Sequence, residues 1–216
     1  MAFQRRAVFG RPYQLFIPRA AAEGPLPLVV FLHGVGENGN DGEKHLKVGL
    51  PVHVQKNAAT FPALVLAPQC AGPWKYVGAD EQVVLEAIEA TRRERRVDPS
   101  RIYLTGLSQG GCSAFELGAK YPEKWAALVV VCGAGRPADA MRLRRTPVRI
   151  YHGEKDDVVP PSGHHRFDDV GVGGRDMAAF LPHAKYVEFP GAGHAIWDEV
   201  YGNPELWTWL FAQKRP

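Results

Sequence analysis

Serine and cysteine are both scarce in this chain of 216 residues. Its four serines are Ser100, Ser108, Ser113 and Ser162, and its three cysteines are Cys70, Cys112 and Cys132. An odd cysteine count, with each thiol beside small or apolar neighbours, excludes a disulfide framework and reads as buried free thiols. No C-x-x-C or clustered Cys/His spacing occurs, so no metal or other cofactor is expected. Long apolar runs are missing as well, and nothing reaches the 18 residues of a membrane span. Charge of one sign is not in excess: the formal net charge is +3. The densest basic run, Arg92-Arg93-Glu94-Arg95-Arg96, falls late in a helical pattern with acidic residues on earlier turns. A solvated helix face is the reading, with no nucleic-acid partner. The stretch from Met1 to Arg11 is basic but has no apolar core, so it does not read as a secretory signal, and a cytoplasmic location is expected of the chain as given.

What is present is ordinary globular composition, 45% hydrophobic and 23% charged, in a length that suits one domain over residues 1–216. Apolar runs predict strands at Tyr13 to Ile17, Pro27 to Leu32, Pro62 to Ala67, Ile102 to Thr105, Ala126 to Val131, Val148 to Tyr151 and Tyr186 to Phe189. Runs apolar at every position fit a sheet covered on both faces, hence mostly parallel strands. Helical patterns fall between them at Gly42 to Val48, Asp80 to Arg96, Gln109 to Tyr121 and Pro204 to Gln213. Such alternation is α/β order, a central sheet flanked by helices. The stretch from Ser162 to Phe180 resists the pattern. Gly171, Gly173 and Gly174 interrupt it, and His164, His165, Asp168 and Asp169 make it polar without closing a ligand set. An irregular solvated loop before a short helix near Arg175 to Leu181 is expected there.

Against the scarcity of serine, one serine stands out. Gly106-Leu107-Ser108-Gln109-Gly110 reads G-x-S-x-G between a predicted strand and a predicted helix. Strand, tight turn and helix are the context of a nucleophile elbow, in which the turn lifts a serine hydroxyl above the end of a sheet. A hydroxyl is a poor nucleophile at neutral pH and needs a base, and the base needs an orienting group. The acid is expected after the strand Val148 to Tyr151, where Glu154-Lys155-Asp156-Asp157 follows His152-Gly153. Asp156 is the first choice, Asp157 the rival and Glu154 a poorer candidate. The base is expected after the last strand, where Pro190-Gly191-Ala192-Gly193 delivers His194 on a small-residue loop. His33 and His152 each end a strand before a glycine and read as loop-shaping hydrogen-bond partners. The loop His33-Gly34-Val35-Gly36-Glu37 supplies backbone N–H groups for an oxyanion hole. Val35, or else Gly36, is paired there with Gln109. Glu37 is expected to pin that loop. Trp74 and Trp197 are candidates for a substrate-pocket wall or for loop packing.

His33-Gly34-Val35-Gly36-Glu37, Ala67-Pro68-Gln69-Cys70, Gly106 to Gly111, His152 to Asp156 with Val159-Pro160, and Gly193-His194 follow one another in an order that resembles the α/β-hydrolases. The likeness is greatest to small serine esterases related to phospholipase/carboxylesterases, feruloyl esterases and polyhydroxybutyrate depolymerases, whose relatives are often labelled predicted peptidases. The resemblance spans roughly residues 12 to 213. It implies an α/β-hydrolase fold with the triad Ser108, Asp156 and His194. Only Gly133 to Thr146 separates two predicted strands where larger relatives carry a lid, so no cap domain is expected. The implied function is hydrolysis of short-chain or aryl carboxylic esters as small-molecule substrates. A serine peptidase or amidase with the same triad, and an inactive binding scaffold, are the alternatives.

Overall fold

The computed structural model describes residues 3–19, 24–72, 76–165 and 168–215. Its centre is an eight-stranded sheet in the order β1-β2-β4-β3-β5-β6-β7-β10. The strands are β1 (Gln4–Val8), β2 (Arg11–Phe16), β3 (Leu26–Leu32), β4 (Leu64–Pro68), β5 (Val97–Leu107), β6 (Ala127–Val131), β7 (Val148–Gly153) and β10 (Lys185–Phe189). From β4 to β10 every pairing is parallel, and β1 and β2 add on antiparallel at one edge. Between β7 and β10 lies a two-stranded antiparallel ribbon, β8 (His164–His165) with β9 (Asp168–Val172).

The apolar strands are buried on both faces, as their uninterrupted pattern requires. Along β3, Leu28, Val30 and Leu32 face one apolar layer with α2 (Ala79–Glu94) and α3 (Gln109–Lys120). Val29 and Phe31 face the other, with α1 (Leu50–Lys56), α6 (Trp197–Gly202) and α7 (Pro204–Ala212). All three cysteines are buried, and none is in a disulfide. No helix among the described residues is long and apolar enough to cross a membrane. A 3-10 turn at Pro137–Asp139 and the four-residue α4 (Ala140–Leu143) are the helical pieces between β6 and β7, so no cap is built there.

Several local expectations are corrected. The helix expected at Gly42 to Val48 is a 3-10 turn at Lys44–Lys47, and the α-helix begins later at Leu50. Gly49, at φ +60°, stops the turn, and Pro51 suits the start of the helix. β5 runs through Asp98-Pro99-Ser100, which reads locally as a stop. Leu26 pairs with Val97 across a bulge, and Asp98 takes its polar contacts from Ser100 and Arg101. The irregular loop expected after Ser162 is instead the β8–β9 ribbon, and the short helix expected near Arg175 to Leu181 is α5 (Gly174–Phe180). Gly135 and Val172 exchange backbone hydrogen bonds that tether the ribbon to the β6–α4 connection. The side chains of residues 165 and 168–170 fall outside the described residues.

The elbow after β5 is closed by backbone against backbone. A Cβ on Gly110 would lie 2.0 Å from the Leu32 carbonyl oxygen and 2.6 Å from that of His33. Gly110→Ala is therefore expected to destabilise the protein by about 3 kcal/mol, the upper range for overpacking. Gly202→Ala, where a Cβ meets nothing within 4 Å, should be neutral or stabilising by up to about 1 kcal/mol. Urea titrations of the two variants check both values, and equal midpoints would refute the steric argument.

Candidate active site

Ser108 sits at the first turn after β5 with φ 53° and ψ −120°. A non-glycine residue there is strained by about 1–3 kcal/mol and persists only where its surroundings impose it. Three contacts impose it. The Ser108 N–H donates to the Val131 carbonyl at the end of β6 (2.9 Å), and the Ser108 carbonyl accepts from the Cys112 N–H (3.0 Å). A Cβ on Gly106 would fall 2.1 Å from the Gly110 carbonyl oxygen, so the chain can fold back this tightly only with glycine at that position.

His194 and Asp156 reach Ser108 from other loops at the same end of the sheet. His194 Nε2 lies 2.8 Å from Ser108 Oγ, and His194 Nδ1 lies 2.7 Å from Asp156 Oδ2. Asp156 Oδ1 accepts the N–H groups of Val158 (3.0 Å) and Val159 (2.9 Å). Its carboxylate is fully buried. Burial opposes its charge, but hydrogen bonds from His152 and His194 and from the Val159 N–H outweigh burial and hold the carboxyl well below the usual carboxylate range. Asp157, the rival, is exposed. Glu154 instead fastens two loops together. Its Oε2 accepts the Gly191 N–H at 2.6 Å. With the bonds Glu154 N–H to Phe189 and Lys155 N–H to Ala192, it ties the acid loop to the loop that carries His194. A Cβ on Gly153 would lie 2.0 Å from the Gly193 carbonyl oxygen, so the two loops are in backbone contact.

The loop after β3 is the fourth element. Val35 opens a 3-10 turn at Val35–Glu37, and Gln109 is the first residue of α3. N–H groups at such starts have no partner within their own helix and face outward. Gly34 abuts the serine: a Cβ there would be 3.6 Å from Ser108 Cβ. His33 orients the loop. Its Nε2 accepts the Cys70 N–H (2.9 Å), so its Nδ1 carries the hydrogen and donates to the Gly34 carbonyl (2.7 Å). That carbonyl and the Val35 N–H belong to one planar trans peptide, so fixing one directs the other. Glu37 pins the same loop, its Oε2 3.2 Å from a Gly34 Cβ position. Burial raises its pKa against backbone hydrogen bonds at Gly34 and Glu37. Trp197 meets His194 edge-on, ring centroids 5.7 Å apart. Trp74 lies outside the described residues.

Two supports escape the local sequence patterns. Tyr76 is buried and bridges the loop after β3 to β4: its hydroxyl accepts the His33 N–H and donates to the Pro68 carbonyl, each at 3.2 Å. Ser113 Oγ accepts the Tyr76 N–H (2.9 Å) and donates to the Gln109 carbonyl (3.0 Å), joining that brace to α3. Neither residue belongs to a motif, and only the scarcity of serine made Ser113 visible at all.

The chain is similar in sequence and fold to known proteins. Residues 11–138 match the esterase PHB depolymerase family. The chain belongs to that family. It is 26% identical over 210 residues to a probable carboxylesterase of Oryza sativa subsp. japonica, covering 83% of this chain and 86% of that one. It is also 26% identical over 161 residues to a bifunctional acetylxylan esterase/xylanase of Neocallimastix patriciarum, covering 73% of this chain. The chain spans only 23% of that enzyme's length. Among solved structures, a thermostable esterase superposes with a TM-score of 0.82 at 29% identity, covering 99% of this chain and 63% of the other. Est1E from Butyrivibrio proteoclasticus superposes with a TM-score of 0.70 at 16% identity over its full length, a likeness of fold. The fold is that of the α/β-hydrolase esterases.

The buried histidines near the site make acid stability a direct readout. Burial pushes the pKa of His33 down to about 3 and that of His45, whose Nε2 lies 3.0 Å from the Ala67 carbonyl, down to about 4. In the unfolded chain both titrate near ~6.5. Between about 6.5 and 4 the unfolded state therefore binds more protons than the folded state, and stability falls as pH falls. Asp156 adds the opposite kind of group in a lower window. Its contribution is intact above the unfolded value of about 3.9 and is lost as pH drops toward its lowered folded value. His45→Gln, which keeps a donor for Ala67, should remove up to about 1.4 kcal/mol per pH unit of the slope between pH 6 and 4. Urea midpoints at several pH values measure it, and an unchanged slope would show that His45 is not buried neutral.

Proposed function

We propose that this family member is a serine esterase that cleaves short-chain or aryl carboxylic esters through an acyl-enzyme. The observation that carries the reading is the hydrogen-bonded series Ser108 Oγ, His194 Nε2, His194 Nδ1 and Asp156 Oδ2, at 2.8 and 2.7 Å, built on a strained strand-to-helix turn. His194 takes the hydroxyl proton as Ser108 Oγ bonds to the ester carbonyl carbon, and Asp156 stabilises the imidazolium that forms. The carbonyl oxygen gains negative charge facing the N–H groups of Val35 and Gln109, where one such donor is worth about 3–4 kcal/mol. The C–O bond to the alcohol then breaks, and the alcohol leaves with the proton from His194. Water repeats the sequence on the acyl-enzyme, releasing the acid and restoring the serine. Trp197 stands beside His194 and forms one wall for the substrate.

An ester leaving group needs less help from a proton than an amine does, and the absence of a cap between β6 and β7 leaves the site open. Both favour ester over peptide substrates. Turnover of p-nitrophenyl acetate against a peptide p-nitroanilide tests this directly, and faster anilide turnover would replace the esterase reading with a peptidase.

Ser108→Ala is expected to lower kcat by about a million-fold and to abolish fluorophosphonate labelling without changing the melting temperature greatly. More than about a hundredth of wild-type kcat in that variant would exclude Ser108 as the nucleophile. Asp156→Asn should cost on the order of 10⁴ in kcat by favouring the wrong histidine tautomer. Asp157→Asn should stay close to wild type. The reverse ranking would move the acid one residue along.

A further inference from the structure

We propose that His152 is a positioning residue for Asp156, its Nε2–H holding the same carboxylate oxygen that receives His194 and setting how strongly that oxygen draws on the base. The proposal rests on the reading above of Asp156 as the orienting acid and His194 as the base.

His152 is the penultimate residue of β7 and has no exposed surface. Its Nε2 lies 2.7 Å from the Val159 carbonyl oxygen, which can only accept, so the hydrogen is on Nε2. The same Nε2 lies 3.2 Å from Asp156 Oδ2. That oxygen is also the one 2.7 Å from His194 Nδ1. The one Nε2–H is thus shared between the Val159 carbonyl at 2.7 Å and Asp156 Oδ2 at 3.2 Å, so Oδ2 faces two imidazole N–H groups while Oδ1 serves two backbone N–H groups. Oδ2 cannot rotate away from His194 without losing His152 as well.

The far side of the His152 ring argues against mere space-filling. Its Nδ1 is buried without a partner, and a Cβ on Gly174 would stand 2.6 Å from it. An unsatisfied buried nitrogen costs free energy that an apolar side chain of similar size would not. What offsets that cost is the work of the opposite nitrogen. The other titratable groups around this cluster do not replace it. Cys132, from β6, has its sulfur 3.1 Å from the His194 carbonyl oxygen and within 4.8 Å of the His152 and Asp156 donor atoms. Burial pushes its thiol pKa up, so it adds no charge. Glu188, opposite His152 on β10, is held by Arg175 and Tyr186.

A donor on Oδ2 lowers the basicity of the carboxylate. Without it the acid holds the His194 proton more tightly, and the acid limb of kcat/KM moves to higher pH. The carboxylate also gains freedom to turn, which lowers kcat more than it changes KM for a small ester. Two variants separate this from loss of packing. His152→Gln places an amide N–H near the position of Nε2. His152→Met fills the volume and donates nothing.

The experiment records kcat, KM and the pH profile with p-nitrophenyl acetate for both variants and wild type, at a temperature below each melting transition. It also records the downfield proton resonance of His194 Nδ1–H by NMR. His152→Met is expected to lose about 10-fold in kcat with a near-constant KM, and its limb should rise by about half a pH unit. His152→Gln should stay within about 2-fold of wild type with the limb in place. The downfield resonance should shift in His152→Met and be preserved in His152→Gln. A limb and resonance that coincide with wild type in His152→Met would overturn the proposal, as would equal changes in both variants. Absent ester turnover in the wild type would sink the esterase reading instead, and the resonance would still test the His152–Asp156–His194 contact.

Discussion

Backbone pressed against backbone at the carboxyl ends of β3, β5 and β6 is the constraint on which the rest of the site depends. Gly106, Gly110, Gly111 and Gly133 meet one another and the ends of neighbouring strands at distances that no Cβ could enter. Because those positions carry no side chains, the first turn of α3 can sit directly on the strand ends. That seat forces Ser108 into its strained conformation and brings the N–H of Gln109 to the edge where the β3 loop arrives. The strain is not offset locally. The two apolar layers on either face of the sheet hold β3, β5 and β6 in register, and their burial supplies the free energy.

Around that fixed serine, the other groups are held by short polar connections between loops. His33, Tyr76 and Ser113 brace the loop after β3 against β4 and α3. Glu154 and the Gly153–Gly193 contact bind the acid loop to the histidine loop. Several of these braces join segments far apart in the chain, His33 with Tyr76, Tyr76 with Ser113 and Glu154 with Gly191. The family match ends at residue 138, before Asp156 and His194. The part of the chain that carries Ser108 and the loop after β3 is thus the part that matches the family.

What could be read beforehand follows the same division. The elbow is legible because its spacing is local: glycine, serine and glycine within five residues, after an apolar strand. Asp156 and His194 were legible by their order and their places after strands. Asp156 is the first choice over Asp157 in the sequence, and the structure buries Asp156 beside His194 while Asp157 is exposed. β1 escaped notice because an exposed edge strand of charged residues carries no apolar period. α6 was hidden in a short polar segment that gains its helix from Val200 and Tyr201 settling into the second apolar layer. The β8–β9 ribbon owes its form to hydrogen bonds with Gly135, a partner distant in sequence. Tyr76 and the second role of His152 are contacts between side chains on separate strands and loops, which no local pattern encodes.

Ser108 and His194 are anchored unequally. Ser108 follows β5, a central strand whose last residues are fully covered, whereas His194 follows β10, the outermost strand, with every residue at least partly exposed. Edge elements open at lower free energy than central ones. Fraying of β10 would withdraw the imidazole while the serine stays seated in its turn. Loss of turnover on gentle warming would then precede collapse of the sheet. The interval between the two measures how well Glu154 and the Gly153 contact fasten that margin to the interior.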